Sequence, residues 1–95
     1  MAREKDVKVL LAKETENGWR FVVRFVFGGV GYVVECLDRV GVIQYLTLYT
    51  ENCSKIIYAE RWELCGGELS DGTISPKLYE KMEQALDVVY EAVGY

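Results

Sequence analysis

Two glycines, Gly28 and Gly29, separate two runs of aromatic and β-branched residues at positions 19–27 and 30–37. Aromatic and β-branched side chains favour extended strands. A two-residue loop of type I′ needs positive φ at both positions, and glycine adopts positive φ without strain. The segment therefore predicts a tight antiparallel hairpin. A hairpin this regular restricts the chain to folds that are built on an antiparallel sheet.

Two further turns flank this hairpin. Asn17-Gly18 precedes it and favours the same two-residue turn. The segment 39–41 (Arg-Val-Gly) follows it and fits a three-residue loop with the glycine in the left-handed region. Turns at these positions divide the chain into five predicted strands, at about 7–13, 19–27, 30–37, 42–49 and 55–64.

The C-terminal segment changes from strand spacing to helix spacing. Residues 65–74 contain glycines and show no periodicity, which predicts a loop. Ser75 followed by Pro76 is typical of a helix start, with serine as the N-cap and proline in the first helical position. Apolar residues then recur at helical spacing as far as Val93, so we predict a helix over 76–93.

These elements predict one α+β domain over residues 1–95. Its sheet is an antiparallel β-meander of four to five strands, followed by one C-terminal α-helix packed on one face. The chain has 95 residues, of which 51% are hydrophobic, and this content is too high for a disordered chain. No apolar run approaches the length of a membrane-spanning helix, and the charged N-terminal run fits a strand better than a secretory signal. We therefore expect a cytoplasmic protein with no membrane role.

The turns also predict which side chains share a face of the sheet. Counting from Asn17-Gly18 places Leu10 opposite Phe25, and counting from Gly28-Gly29 places Phe25 opposite Tyr32. One face then holds an apolar set that the helix must cover: Leu10, Ala12, Phe21, Val23, Phe25, Tyr32, Val34, Cys36, Leu46 and Leu48. The other face mixes charges with an apolar row, which predicts the interface of a homodimer. That row is Val7, Val9, Leu11, Val22, Val26 and Val33.

Residues suited to catalysis or metal binding are scarce. The chain has no histidine, and its three cysteines form no CxxC pair, so we expect no metal site and no cofactor. A cysteine nucleophile would also lack a histidine base. Glu35 is predicted to lie between Arg20 and Arg24 in a cross-strand ion cluster. We therefore expect a protein that is not an enzyme. A disulfide between Cys53 and Cys65 stays an open alternative.

A basic and aromatic set points to binding instead. Its members are Arg20, Arg24, Tyr45, Tyr49, Tyr58, Arg61 and Trp62. Rings stack on bases and cations follow the phosphate backbone, so the set predicts a small binding module for single-stranded nucleic acid, acting through an Arg/Tyr sheet face. The net charge of −4 opposes phosphate binding and supports a second hypothesis. In that hypothesis the chain is a protein–protein module, an adaptor or an inhibitor, that uses its apolar sheet face and acidic surface.

The order of elements over residues 19–93, a meander followed by one helix, resembles the transcription-coactivator fold. That resemblance implies a homodimer that binds single-stranded DNA, with paired helices and a sheet face that holds the strand. It extends to the order of elements and includes no sequence motif, so no residue role is transferred from it.

Overall fold

The computed structural model describes residues 7–39, 42–52, 55–63 and 67–93, without the side chains at 42, 43, 62, 63, 67–71 and 93. The described elements are β1 (Val7–Thr15), β2 (Gly18–Phe27), β3 (Val30–Arg39), β4 (Val42–Thr50), β5 (Ile56–Glu63), β6 (Gly67–Asp71) and α1 (Pro76–Val93). The strands pair in chain order as one antiparallel sheet. The predicted α+β meander with a C-terminal helix packed on the sheet is confirmed.

The β2–β3 hairpin has the predicted turn and register. Gly28 and Gly29 have φ of 60° and 78°, the left-handed values that a type I′ turn needs. Phe27 and Val30 close the hairpin, and each pair further along follows in strict alternation, as far as Trp19 opposite Asp38. The side chains of this hairpin therefore fall on the predicted faces.

The β1–β2 hairpin differs from the prediction. Thr15 pairs with Gly18, so the two-residue loop is Glu16-Asn17 and not Asn17-Gly18. The Thr15 hydroxyl donates to the carbonyl oxygen of Gly18 at 2.7 Å and accepts from the backbone N–H of Asn17 at 3.2 Å, which stabilises this turn. The pairing then shifts again at a bulge that contains Leu10, which is exposed instead of facing the helix.

Gly18 is the first residue of β2 and packs closely against β3. Its φ is 128°, and a Cβ at this position would lie 2.3 Å from the backbone carbonyl oxygen of Asp38 on β3. Only glycine permits this close approach of two backbones without displacing a strand. The predicted turn at Asn17-Gly18 is therefore wrong: Gly18 stands inside β2, where the close approach of β3 requires glycine.

The later strands depart from the prediction in two places. Arg39 belongs to β3 and pairs with Val42, so it is not a loop residue, while positions 40 and 41 lie outside the described residues. The predicted loop over 65–74 contains β6, which pairs with β5 from Ala59–Asp71 to Glu63–Gly67. Leu46 and Leu48 lie on the face that the helix covers, as predicted, and they pair with Cys36 and Val34.

Helix α1 begins and covers the sheet as expected. The backbone N–H of Leu78 donates to the Ser75 hydroxyl at 3.1 Å, and that of Tyr79 donates to the Ser75 carbonyl at 3.0 Å, so Ser75 is the N-cap. The helix buries one apolar stripe against the sheet: Leu78, Met82, Ala85, Leu86 and Val89.

The core lies between this stripe and one face of the sheet, which we call the helix face. Its buried strand residues are Phe21, Val23, Phe25, Val34, Cys36, Leu46 and Leu48. Among the described residues, no helix has the length and apolar character needed to span a membrane.

Candidate functional site

The sheet surface opposite the helix, which we call the open face, gathers the residues that the sequence marked for binding. The pairing registers place on it one set from the first five strands, which includes Lys8, Leu11, Lys13, Arg20, Val22, Arg24, Val26, Val33, Glu35, Leu37, Tyr45, Thr47, Tyr49, Ile56, Ala59 and Arg61. Most of these side chains are half-buried by one another, while Val33 is buried. In the described part of the chain no element covers this face.

The open face is basic although the chain as a whole is acidic. Lys8 lies opposite Arg24 and Lys13 lies opposite Arg20, because β1 pairs in the observed register. The cations with described side chains on this face also include Arg61 of β5, and its described carboxylates include Glu35 and, from the β4–β5 turn, Glu51. Among the side chains that the structure describes, positive charge therefore predominates on the open face.

Arg24 is held by a carboxylate from a turn. Its Nη2 donates to Oε1 of Glu51 at 3.1 Å and its Nε donates to Oε2, so the guanidinium fork grips both oxygens. Glu51 stands directly after β4, and its backbone N–H donates to the Gly31 carbonyl at 3.0 Å. A Cβ on Gly31 would lie 2.9 Å from Oε1 of Glu51, so glycine leaves room for the pair. The hydrogen bond from Arg24 holds the pKa of Glu51 below its usual value.

Arg20 has its own partner, which corrects the predicted ion cluster. Its Nε donates to Oε2 of Glu35 at 2.9 Å, and its Nη2 donates to the same oxygen. This hydrogen bond is the main reason why the pKa of Arg20 is raised. Glu35 therefore pairs with one arginine and does not bridge two, because Glu51 reaches Arg24 across the end of β3.

Two of the predicted tyrosines lie beside these cations. Tyr45 is opposite Leu37 and Arg61, while Tyr49 is opposite Val33. Both rings are half-buried, so each presents part of its surface. They are four positions apart along β4, which is about 13 Å at the usual rise of a strand.

Other members of the predicted sets are placed elsewhere. Tyr58 lies opposite Leu48 on the helix face, so the prediction that it joins the Arg/Tyr face is wrong. The side chain of Trp62 lies outside the described residues. Val7 and Val9 pair with Phe25 and Val23, which places them on the helix face and removes them from the predicted interface row. The bulge at Leu10 explains this correction, because a one-residue slip in the pairing exchanges the faces of the residues before it.

On the helix face, Tyr58 belongs to a buried polar cluster that the sequence did not indicate. Glu60 is only 7% exposed, and its carboxylate accepts hydrogen bonds from the hydroxyls of Tyr58 and Tyr79, the latter at 2.9 Å. The two rings meet edge to face with centroids 5.8 Å apart. This cluster joins the start of α1 to β5.

The lysines of β1 are the residues of the open face that the sequence-based set omitted. Lys8 and Lys13 alternate with apolar residues, but the bulge between them hides the fact that they share a face. Position in the sequence gives no signal for a bulge of this kind. Among the described residues, no cluster of three metal-ligating side chains occurs.

Comparison of the chain with family models, curated proteins and solved structures finds no match. The resemblance to the transcription-coactivator fold therefore rests on the order of elements alone.

Proposed function

We propose that this protein is a non-enzymatic binding module that holds single-stranded nucleic acid on the open face. One observation carries the proposal: the register of β1 sets Lys8 beside Arg24 and Lys13 beside Arg20, which concentrates cations on one side of an acidic chain. Lysine and arginine side chains neutralise phosphates and thereby release the counterions of the nucleic acid. This release supplies the part of the affinity that does not depend on base sequence.

Tyr45 and Tyr49 offer base stacking, which the cations of the open face do not provide. Every base has a flat π-surface, and stacking on an aromatic ring is worth about 1–3 kcal/mol per base without a sequence preference. Tyr45 and Tyr49 stand on the strand next to β3, within reach of a chain that crosses the sheet between the arginines and Arg61. The arrangement favours an extended single strand, because its unstacked bases can lie on the rings of a sheet face.

A phosphate that binds Arg20 or Arg24 must displace a carboxylate, because the two arginines pair with Glu35 and Glu51. Phosphate oxygens can replace the carboxylates of Glu35 and Glu51 on the guanidinium forks, because both groups offer two acceptors to one arginine. Exposed pairs of this kind contribute little stability, so exchanging the partner is inexpensive. The lysines make no ion pair with any described residue and are available to a ligand from the start.

A labelled oligodeoxythymidine of about 12 nucleotides, followed by fluorescence anisotropy, tests the proposal. If about four phosphates are neutralised, the affinity falls about 50-fold between 50 and 200 mM salt. The Lys8→Ala/Lys13→Ala variant flattens this salt dependence. The matched control is Lys77→Ala/Lys81→Ala, which removes two lysines from α1 and leaves the salt dependence unchanged. No binding at 50 mM salt, or equal losses in both variants, would refute the proposal.

The second candidate is a protein interface, which includes a homodimer. It is favoured by the apolar row that the corrected register leaves on the open face: Leu11, Val22, Val26 and Val33. Such a row on a small sheet marks a surface that another protein covers. Light scattering at micromolar concentration tests the homodimer: a dimer that the Val22→Asp variant dissociates supports it, and a monomer excludes it.

A further inference from the structure

A groove runs along α1 on the opposite side of the molecule from the open face. Leu46 of β4 lines it together with Met82 and Leu86 of the helix. Tyr79 and Tyr90 of the helix line it as well. Its volume is about 80 Å³. Pockets for free small molecules begin at about 300 Å³, so this groove suits the apolar side chain of a docked segment and not a free ligand.

The rim of the groove is acidic. Glu83 and Asp87 line it one helical turn apart, and both are exposed. At 100° per residue, the two lysines of the helix, Lys77 and Lys81, project on the flank that points away from the groove. The charges of α1 are therefore sorted, with carboxylates beside the groove and cations on the far side.

The two tyrosines are fixed before any partner arrives. The Tyr79 hydroxyl donates to the buried carboxylate of Glu60 at 2.9 Å, and the Tyr90 ring meets Phe21 edge to face at 5.5 Å. Rings that are already held lose little entropy on binding, and their faces attract cations. From Tyr79 to Tyr90 the helix extends about 16 Å, which matches a short peptide segment.

We propose that this groove binds a cationic amphipathic segment of a partner protein. An apolar side chain of the segment fills the space between Leu46 and Leu86, and its Lys or Arg side chains lie against Glu83 and Asp87. The charge complementarity selects this partner, since the same rim repels nucleic acid. The surface is distinct from the open face, so the two can be occupied at the same time.

A short peptide of leucine and lysine is the probe, and its binding to the full chain is followed by the shifts of backbone amide resonances. Residues 79–90 are expected to respond, and a peptide with glutamate in place of lysine is expected not to bind. The Glu83→Gln/Asp87→Asn variant weakens the affinity by about five- to tenfold at low salt, because two exposed ion pairs are lost.

The matched control is Glu14→Gln/Glu16→Gln, which removes two exposed carboxylates from the β1–β2 hairpin. It leaves the affinity for the leucine–lysine peptide unchanged if the groove is the site. Equal weakening in the two variants would mean that overall acidity attracts the peptide. That result, absence of binding, or shifts that map to the open face would each overturn the proposal.

Discussion

The two faces of one sheet differ although the same strands form both. Phe21 and Val22 are neighbours on β2, yet Phe21 is 0% exposed under the helix while Val22 remains half-buried on the open face. The helix face excludes water and joins every strand from β2 to β5 to α1 through one cluster of side chains. The stability of the fold therefore comes mainly from the helix face.

The faces also treat carboxylates differently. Glu60 on the helix face is buried and accepts from tyrosine hydroxyls, whereas Glu35 and Glu51 on the open face pair with arginines in contact with water. A buried carboxylate that lost its donors would be costly, while an exposed ion pair can exchange partners. The comparison thus predicts rigid polar contacts beneath the helix and replaceable ones on the open face.

The sharpest contrast is expected in thiol reactivity. Burial, assisted by the nearby carboxylates of Asp38 and Glu35, raises the pKa of Cys36 from 9.0 to about 12. Since the thiolate is the reactive form, a shift of that size lowers its population about a thousandfold. In a Cys53→Ser/Cys65→Ser background, Cys36 should therefore label at least about a thousandfold more slowly at pH 8 than a thiol on the open face.

The matched measurement uses Val22→Cys in the same Cys53→Ser/Cys65→Ser background, with Cys36→Ala added. Both chains are labelled with one disulfide reagent. Similar labelling rates at the two positions would show that the helix face opens readily and would break the comparison.

The next contrast is in packing. Phe21→Ala removes a buried ring that stacks on Trp19 at 5.9 Å and meets Tyr90 edge to face, so it should cost about 3–5 kcal/mol in the free energy of unfolding. Val22→Ala, one residue away, should cost about 1 kcal/mol because its side chain is half-exposed. Urea unfolding of both variants measures the difference. Equal costs would mean that another chain covers the open face in solution.

A smaller contrast concerns tyrosine hydroxyls. Tyr79→Phe removes one of the two donors to the buried carboxylate of Glu60 and should destabilise the fold by about 1.5–3 kcal/mol. Tyr49→Phe, on the open face, should change stability by less than about 0.5 kcal/mol. Thermal unfolding compares the two substitutions. A neutral Tyr79→Phe would show that the polar cluster does not help to hold the start of the helix.

The hairpin β2–β3 could be predicted to the residue, because two adjacent glycines permit few turns and fix the register that follows. The hairpin β1–β2 could not, because Asn17-Gly18 satisfies the turn rule while the packing of Gly18 against Asp38 decides where the glycine stands. A bulge such as the one at Leu10 leaves no local signal, yet it exchanges the faces of every residue before it.

The candidate site was predicted in part for related reasons. Arg20 and Arg24 were placed correctly, since they belong to the well-determined hairpin. Tyr58 and Arg61 are three residues apart, and strand alternation alone shows that they cannot share a face. Strand β6 lacks alternating apolar residues and pairs only at the sheet edge, so its sequence is typical of a loop.

The smallest expected effect concerns pH and the Arg24–Glu51 pair. Because Arg24 lowers the pKa of Glu51 in the folded state, the pair stabilises the fold when the carboxylate is ionised, above its unfolded value of about 4.5. This contribution to stability is lost as the pH falls from about 4.5 through the lower pKa that Glu51 has in the folded state. Glu51→Gln should therefore be slightly less stable than the parent at pH 7 and equal to it at the acid end of this window.

Glu16→Gln is the control, since Glu16 is also an exposed carboxylate in a turn between strands. It should follow the parent at both pH values in urea unfolding. A difference between Glu51→Gln and the parent that persists unchanged in acid would mean that the Glu51 side chain acts by packing over Gly31 and not by charge. In that case the carboxylate would not be a partner that phosphate can replace, and the exchange argued for the open face would lose its basis at Arg24.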